Sequence, residues 1–319
     1  MNKKQRLDDG HKFADDELKA LEVKITKEYK KALKDLKEEA NAYFLRFSAL
    51  DALMLEKVRK KLITKKEYID WRNREMIFNR RYNEMIGVLS RQLTLVTQRA
   101  KGLIAKYVPP IYIENFNFGG YEVAKSLGID ISFSLVDQST VDKLLRESGR
   151  LLPTPKIDIP KELQWNQAHI RSALTQGIMQ GDSIPHIADR LQSVTNMDRA
   201  AAIRNARTMT TYAENAGRID SYRKMEEMGI EVKKQWMATL DEVTRESHRK
   251  LDGEIRGVDE RFSNGLMQPG DPSGPGEEVY NCRCTLVSVT QYTNSDLSDL
   301  SQRYNKLNGK TYAEWKNGK

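Results

Sequence analysis

The chain has 319 residues, of which 53 are basic and 45 acidic, so its formal net charge is +8. At roughly 150 residues per domain this length predicts about two domains. A hydrophobic content of 39% excludes a wholly disordered chain, and two cysteines only two positions apart exclude a disulfide framework. No apolar run approaches the ~18 residues of a bilayer span, and the N-terminus lacks the apolar segment of a signal peptide. We therefore expect a cytoplasmic origin and no membrane partner.

The charge is unevenly distributed along the chain. Residues 51–100 carry 12 basic and 6 acidic side chains, whereas residues 251–300 carry 3 basic and 9 acidic ones. The basic segment could face nucleic acid, and the acidic one could hold a cation. A plain solvated helix surface is the alternative for both.

Two long helices are predicted in the first third of the chain. Residues 14–46 place apolar side chains at steps of three and four, which puts them on one stripe. A second helix is predicted over about 65–106, where Thr64 and Glu67 fit a capping box and an apolar stripe begins at Phe78. Such helices should pack antiparallel as an elongated hairpin with the two stripes as its core.

The hairpin is predicted to end at Pro109-Pro110. The composition of 111–120 and the alternation at 129–135 favour short strands, and 139–147 favours a short helix. Because prolines cluster at 152–160, we place a domain boundary there. Three regions follow: 1–155, an elongated N-terminal helical region with a short strand segment; 156–290, an α+β domain; and 291–319, a basic polar tail.

The second region is predicted to be mostly helical and closed by a small β-sheet. Helices are expected at 161–180, 184–193 and 198–228, the last capped by Asp198. Strands are expected at 231–240 and 285–290, separated by a loop rich in Gly, Pro, Asp and Glu. The predicted fold class is therefore α+β, with a long helical hairpin preceding this domain.

The densest group of unusual residues lies between positions 236 and 284. It comprises Trp236, Thr239, Asp241, Arg245, His248, Asp252, Gly253, Asn281, Cys282, Arg283 and Cys284. In this order, with a Pro-rich acidic loop before Asn281, these residues resemble the signature of the phage head morphogenesis family, which includes minor head proteins and Mu F-like proteins. The upstream helix that carries Arg207, Tyr212 and Asn215 also resembles the family, but Met209 stands where an acid is usual.

The resemblance covers about residues 160–290 and implies an assembly role rather than catalysis. It implies a minor capsid protein in the virion interior, made in the host cytoplasm, that acts in head assembly and in DNA packaging, retention or ejection. The implied partners are the portal protein, the major capsid or scaffolding protein, and double-stranded DNA bound without sequence specificity.

The residue types at 241–284 also suggest a metal site. Cys282, Cys284 and His248 are ligands suited to zinc, and Asp241 or Asp252 could supply a fourth. A metal-free site with two buried thiols is the alternative. His248 and Cys282 could instead form a nucleophile–base pair, although no oxyanion hole or cleft is evident in the sequence.

The family fold has also been linked to ADP-ribosyltransferase-like scaffolds. This link would place Arg207 and either Glu277 or Glu278 in NAD-binding or catalytic roles. Because a fold does not by itself carry an activity, we expect a degenerate, non-catalytic version of such a site and name no catalytic residue.

The basic segment supplies candidates for contact with DNA phosphates. We single out Lys57, Lys60, Lys61, Arg72, Arg74, Arg80 and Arg81. No helix-turn-helix or zinc-finger pattern accompanies them, so binding would be non-specific and would weaken steeply with salt.

Overall fold

The computed structural model describes residues 8–131, 135, 158–292 and 294–319. The predicted helix at 139–147 and the predicted boundary near 152–160 lie wholly or largely outside these residues. In the described part of the chain, no helix is long and apolar enough to cross a membrane.

The fold is mostly helical with small antiparallel sheets, which confirms the predicted α+β class. The helices are α1 Asp9–Phe44, α2 Ser48–Arg59, α3 Lys65–Arg72, α4 Arg80–Leu127, α5 Ile159–Gln180, α6 Ile184–Asp189, α7 Leu191–Glu227, α8 Glu246–Leu251, α9 Gly276–Val279, α10 Asn294–Arg303 and α11 Tyr312–Asn317. The strands are β1 Ile129–Asp130, β2 Lys233–Met237, β3 Ile255–Gly257, β4 Thr285–Val289 and β5 Asn305–Lys306.

The chain divides into two compact units, each assembled from separate stretches of sequence. Unit 1 comprises Met1–Glu22, Leu103–Pro155 and Arg204–Lys319; unit 2 comprises Val23–Gly102 and Lys156–Ile203. Helices α1, α4 and α7 contribute residues to both.

Unit 2 contains the predicted helical hairpin. Tyr29 of α1 lies opposite Thr97 of α4, with their hydroxyls 3.2 Å apart, while the ring of Tyr43 packs against that of Tyr82. Position therefore rises along α1 as it falls along α4, so the two segments are antiparallel. Within unit 2 the predicted stripes form the buried face, except that Phe78 is 77% exposed.

The second helix of this hairpin is interrupted, contrary to the prediction of one helix over 65–106. The Thr64–Glu67 capping box is present and starts α3, but Asn73–Ile77 forms a π-helical turn. Asn79 Oδ1 then accepts the backbone N–H of Tyr82 at 2.8 Å and begins α4. The interruption turns Phe78 away from the core.

Two further sequence predictions are corrected in α4. The helix passes through Pro109 and Pro110, and the strand expected over 111–120 is helical. An internal proline costs about 3 kcal/mol of helix stability. The buried aromatic side chains that follow, among them Tyr112, Phe116 and Tyr121 in unit 1, offset this cost because each buries a large apolar surface.

Unit 1 contains both sheets. The three-stranded sheet has the order β3-β2-β4 and is antiparallel, with Trp236 opposite Leu286. This confirms the two predicted strands and adds β3 inside the predicted loop. Strands β1 and β5 pair separately, and the expected polar tail is largely ordered, since Trp315 of α11 is buried against Tyr121.

Candidate functional site

The sheet and helix α7 position the signature residues within unit 1. Trp236 on β2 is fully buried, and its ring meets the edge of His248 with centroids 5.3 Å apart. His248 lies on the short helix α8, and Cys282 and Cys284 lie on the segment that leads into β4. Both thiols lie on the side of this segment that faces His248.

These three side chains converge on one point. The Cys282 and Cys284 sulfurs lie 3.6 and 3.4 Å from Nδ1 of His248. The ligand atoms all lie within 4.8 Å of one another, and each residue is only 2% exposed. The structure thus brings together three of the four residues predicted as metal ligands.

Asp241 is outside this group. Its carboxylate forms an ion pair with Arg283 at 2.5 Å and accepts a hydrogen bond from the Thr244 hydroxyl at 2.9 Å. Asp252, the alternative fourth ligand, accepts the backbone N–H of Ala238 at 2.9 Å. Both aspartates therefore hold the loop that follows β2.

The cysteine segment is fixed to helix α7 by two side chains one helical turn apart. The Thr211 hydroxyl donates to the carbonyl of Cys282 at 2.5 Å. The Asn215 amide donates to the Cys284 carbonyl at 3.3 Å, while its oxygen accepts the backbone N–H of Leu286 at 2.8 Å. Sequence reasoning associated Asn215 with the family but assigned Thr211 no role.

The remaining signature residues have structural contacts. Gly253 and Asn281 both adopt positive φ, +87° and +56°. Thr239 donates to the carbonyl of Arg283 at 2.6 Å, and Arg245 donates to the carbonyl of Tyr280. These bonds connect the residues after β2 with those before β4.

The cluster is electrostatically asymmetric. A hydrogen bond from the Cys282 thiol, assisted by His248 and Trp236, lowers the pKa of Cys284 to about 5 although burial opposes this. The same hydrogen bond, together with burial, raises the pKa of Cys282 well above its usual value. Two adjacent buried thiols cannot both ionise without a compensating cation, so one stays protonated.

Two of the three residues considered for NAD chemistry have a partner of another kind. Arg207 forms an ion pair with Glu22 at 2.6 Å, and Glu278 lies 3.0 Å from Nε2 of His248. Glu277 is exposed on α9. The charges of Arg207 and Glu278 are thus both satisfied by neighbouring side chains, with no need of a nucleotide.

The predicted DNA contacts are mostly exposed in unit 2, with one correction. Arg72 is fully buried, forms an ion pair with Asp51 at 3.0 Å, and donates to the carbonyls of Ile178 and Asp182. Arg72 cannot reach a phosphate because its guanidinium is buried and bonded to groups in the protein interior. The other candidates lie on the surface, with Lys57 half-buried.

Comparison with known proteins finds similarity over the stretch that contains this site. Residues 168–287 match the family described as Phage Mu protein F like protein. The chain is 25% identical to the minor head protein GP7 of Bacillus phage SPP1, over an alignment that covers 100% of this chain and 99% of that protein.

Two further relatives match over part of their length. The chain is 27% identical to the NAD(+)–arginine ADP-ribosyltransferase EFV of Enterococcus faecalis, over 73% of this chain and 47% of that protein. It is 28% identical to the uncharacterized protein YqbB of Bacillus subtilis, over 52% of this chain and 54% of that protein. No solved structure matches the chain. The buried Cys-His cluster and its supporting contacts lie within residues 168–287, the stretch that is similar to the Phage Mu protein F like family.

Proposed function

We propose that this chain is a minor head protein located inside the phage head, where it binds the portal protein and acts in head assembly and in packaging, retention or ejection of DNA. Assembly would begin in the host cytoplasm. The observation that carries the proposal is the end-to-end alignment with a minor head protein, which leaves almost no part of either chain unmatched.

The surface we assign to the protein partner is the exposed surface of residues 45–81 in unit 2, here called the leucine-rich basic face. Within α2 only Asp51 is buried, and it holds the helix to α3 through the Tyr68 hydroxyl at 2.8 Å. The large apolar side chains exposed on this face are Leu45, Leu50, Leu53, Leu55, Leu62 and Phe78. Protein interfaces typically combine large apolar side chains with charged residues at their edge.

The charges on this face indicate the character of the partner. Lys60, Lys61, Arg74 and Arg81 are exposed in the same stretch of chain. Phosphates would satisfy the cations but would leave the leucines in water, whereas an acidic protein surface with an apolar centre would cover both. We therefore assign this face to an acidic patch of the portal, and non-specific DNA binding becomes the competing outcome of the test.

The test is co-expression of the full chain with the portal protein of the same phage, followed by size-exclusion chromatography and native mass spectrometry. We expect a few copies of the chain on each portal ring. The double variant L50S/L53S should weaken co-elution about tenfold or more, since buried leucines contribute most of such a contact. The matched control V23S/L95S removes two exposed apolar side chains elsewhere in unit 2 and should co-elute normally.

Two outcomes would overturn this assignment. Clean separation of the wild-type chain from the portal at both low and moderate salt would remove the portal as partner. Equal loss of co-elution in the two double variants would remove the leucine-rich basic face. Affinity for DNA that falls steeply with salt and is insensitive to L50S/L53S would instead support the nucleic-acid role.

The partial similarity to an ADP-ribosyltransferase favours a second candidate, a virion enzyme that modifies host protein. Its test is NAD turnover by the purified full chain, with Arg207→Ala and Glu278→Ala as variants. We expect no turnover, because the match covers less than half of that enzyme. Turnover that disappears in both variants would establish the enzyme instead.

A further inference from the structure

The cluster of His248, Cys282 and Cys284 has the donor atoms of a zinc site. One imidazole nitrogen and two sulfurs converge within 4.8 Å, and all three side chains are buried. Thiolate and imidazole are the ligands that zinc prefers in proteins, and ligand atoms about 2.0–2.3 Å from one tetrahedral ion are about 3.3–3.8 Å apart. The Nδ1–sulfur distances of 3.6 and 3.4 Å agree with this separation. The sequence positions differ by 34 and 36 residues, so the convergence is a product of the fold.

The surroundings of His248 orient it toward the sulfurs. Its second nitrogen, Nε2, lies 3.0 Å from a carboxylate oxygen of Glu278, and that oxygen also accepts the hydroxyl of Ser247 at 3.1 Å. Metal-bound histidines commonly have a carboxylate beside the nitrogen that does not bind the metal, which fixes the ring orientation. Here this leaves Nδ1 for the ion.

The stretch of chain between β3 and β4 contains little regular secondary structure that could stabilise it. Between β3 and β4 the structure contains only the four-residue helix α9 as regular structure. A metal bound by His248, which precedes this stretch, and by Cys282 and Cys284 at its end would cross-link the two ends. The free energy of metal binding would then contribute directly to folding.

We propose that His248 Nδ1 and the sulfurs of Cys282 and Cys284 bind one zinc ion that joins helix α8 to the segment before β4. No fourth His, Cys, Asp or Glu joins the group among the residues the structure describes, so the fourth position belongs to solvent or to an exogenous ligand. Binding replaces the proton shared by the two thiols and releases it to solvent. This site is independent of portal binding.

The first experiment is elemental analysis of the purified full chain after extensive dialysis, with and without a strong chelator. We expect about one zinc per chain before chelation. Removal of zinc should lower the melting temperature, and zinc added back under reducing conditions should restore it. Both thiols should react with a thiol reagent faster after removal than before, because thiolates bound to metal are protected.

Cobalt supplies a readout that does not depend on stability. Added to the chelated chain, Co²⁺ should produce the intense visible bands of a tetrahedral site and a sulfur charge-transfer band in the near ultraviolet. Cys282→Ser and Cys284→Ser should each weaken the charge-transfer band, and His248→Gln should alter the visible bands.

Two matched controls separate ligands from neighbours. Asp241→Asn changes a predicted ligand that the fold directs to Arg283, and His186→Gln changes an exposed histidine of unit 2. Both variants should retain zinc and the cobalt spectrum.

The proposal is overturned if the dialysed wild-type chain holds less than about a tenth of an equivalent of zinc, shows no cobalt bands, and melts at the same temperature with and without chelator. Loss of zinc in Asp241→Asn alone would overturn the assigned ligand set.

Discussion

Nδ1 of His11 lies 2.8 Å from a carboxylate oxygen of Glu214, although the two residues are 203 positions apart. Both side chains are buried in unit 1. Burial acts to lower the pKa of His11, but the Glu214 charge and hydrogen bond outweigh it and raise that pKa to about 9. The pair therefore links the start of α1 to α7 as a buried ion pair at neutral pH.

This pair predicts a pH dependence of stability. Because the folded pKa of His11 lies above its ordinary value of 6.5, the contribution is complete below that pH and is lost as the pH rises through 9. We expect the free energy of unfolding to fall by up to about 3 kcal/mol across this range. Denaturant unfolding at several pH values measures the slope, and His11→Gln should flatten it. Equal slopes in both chains would contradict the prediction.

Replacement of Asp198 is expected to stabilise the native state. Its Oδ2 is buried without a hydrogen-bond donor among the described residues, and burial, with the charge of Glu162, raises its pKa to about 7. In the unfolded chain the carboxyl ionises near its ordinary pKa of 3.8, but in the native state it ionises only near 7. The free energy of unfolding therefore decreases as the pH rises between these two values.

We therefore expect Asp198→Asn to raise the free energy of unfolding by about 1–4 kcal/mol at pH values above 7, with little effect near the ordinary pKa. Denaturant titrations of both chains at the two pH values provide the measurement. A variant that is less stable than wild type at high pH would show that the ionised carboxylate is stabilising.

Arg218 is a fully buried cation of unit 1. It forms an ion pair with Asp8 at 2.6 Å, and donates to Asn115 Oδ1 at 3.1 Å and to the carbonyl of Leu286 at 2.8 Å. Replacement by Met would remove the buried cation that pairs with Asp8 and the guanidinium donors to Asn115 Oδ1 and the Leu286 carbonyl. Arg218→Met should therefore cost about 3–5 kcal/mol of unfolding free energy.

Arg223, on the same helix, is the matched control for this substitution. Its ion pairs with Asp220 and Asp259 are partly exposed, and exposed pairs contribute about 0–1 kcal/mol. Thermal melts of Arg218→Met and Arg223→Met should differ clearly. Similar losses in both would mean that burial of the Arg218 network contributes little.

Asn281 predicts a backbone effect beside the cysteines. Its φ is +56°, while its side chain is exposed. A left-handed conformation costs a β-branched residue about 1–2 kcal/mol more than it costs glycine. Asn281→Val should lower the melting temperature, whereas Asn281→Gly should change it little; the reverse order in a thermal melt would contradict the backbone argument.

Local patterns in the sequence predicted much of the secondary structure. The stripes of α1 and α4, the Thr64–Glu67 capping box, and strands β2 and β4 each depend on residues close together in the chain. Their periodicities and caps are physical properties of short segments. For the same reason the spacing of the signature residues was sufficient to indicate the resemblance to the phage head morphogenesis family, and residues 168–287 match its Mu F-like model.

The errors occurred where packing outweighs local preference. Pro109 and Pro110 predicted a helix end, yet the aromatic core of unit 1 stabilises a continuous helix. Asp198 was expected to cap a helix that in fact begins seven residues earlier. Local residue preferences contain no information about the surfaces that these positions bury.

The sequence by itself determined the residue types of the candidate site and the order in which they occur. Tertiary structure decided which of them meet: it brought His248 to Cys282 and Cys284, directed Asp241 to Arg283, and buried Arg72 away from the basic surface. It also paired His11 with Glu214, a contact for which the sequence contains no local signal. The reason is physical, since side-chain chemistry is a property of each residue, whereas convergence depends on the packing of helices and strands far apart in the chain.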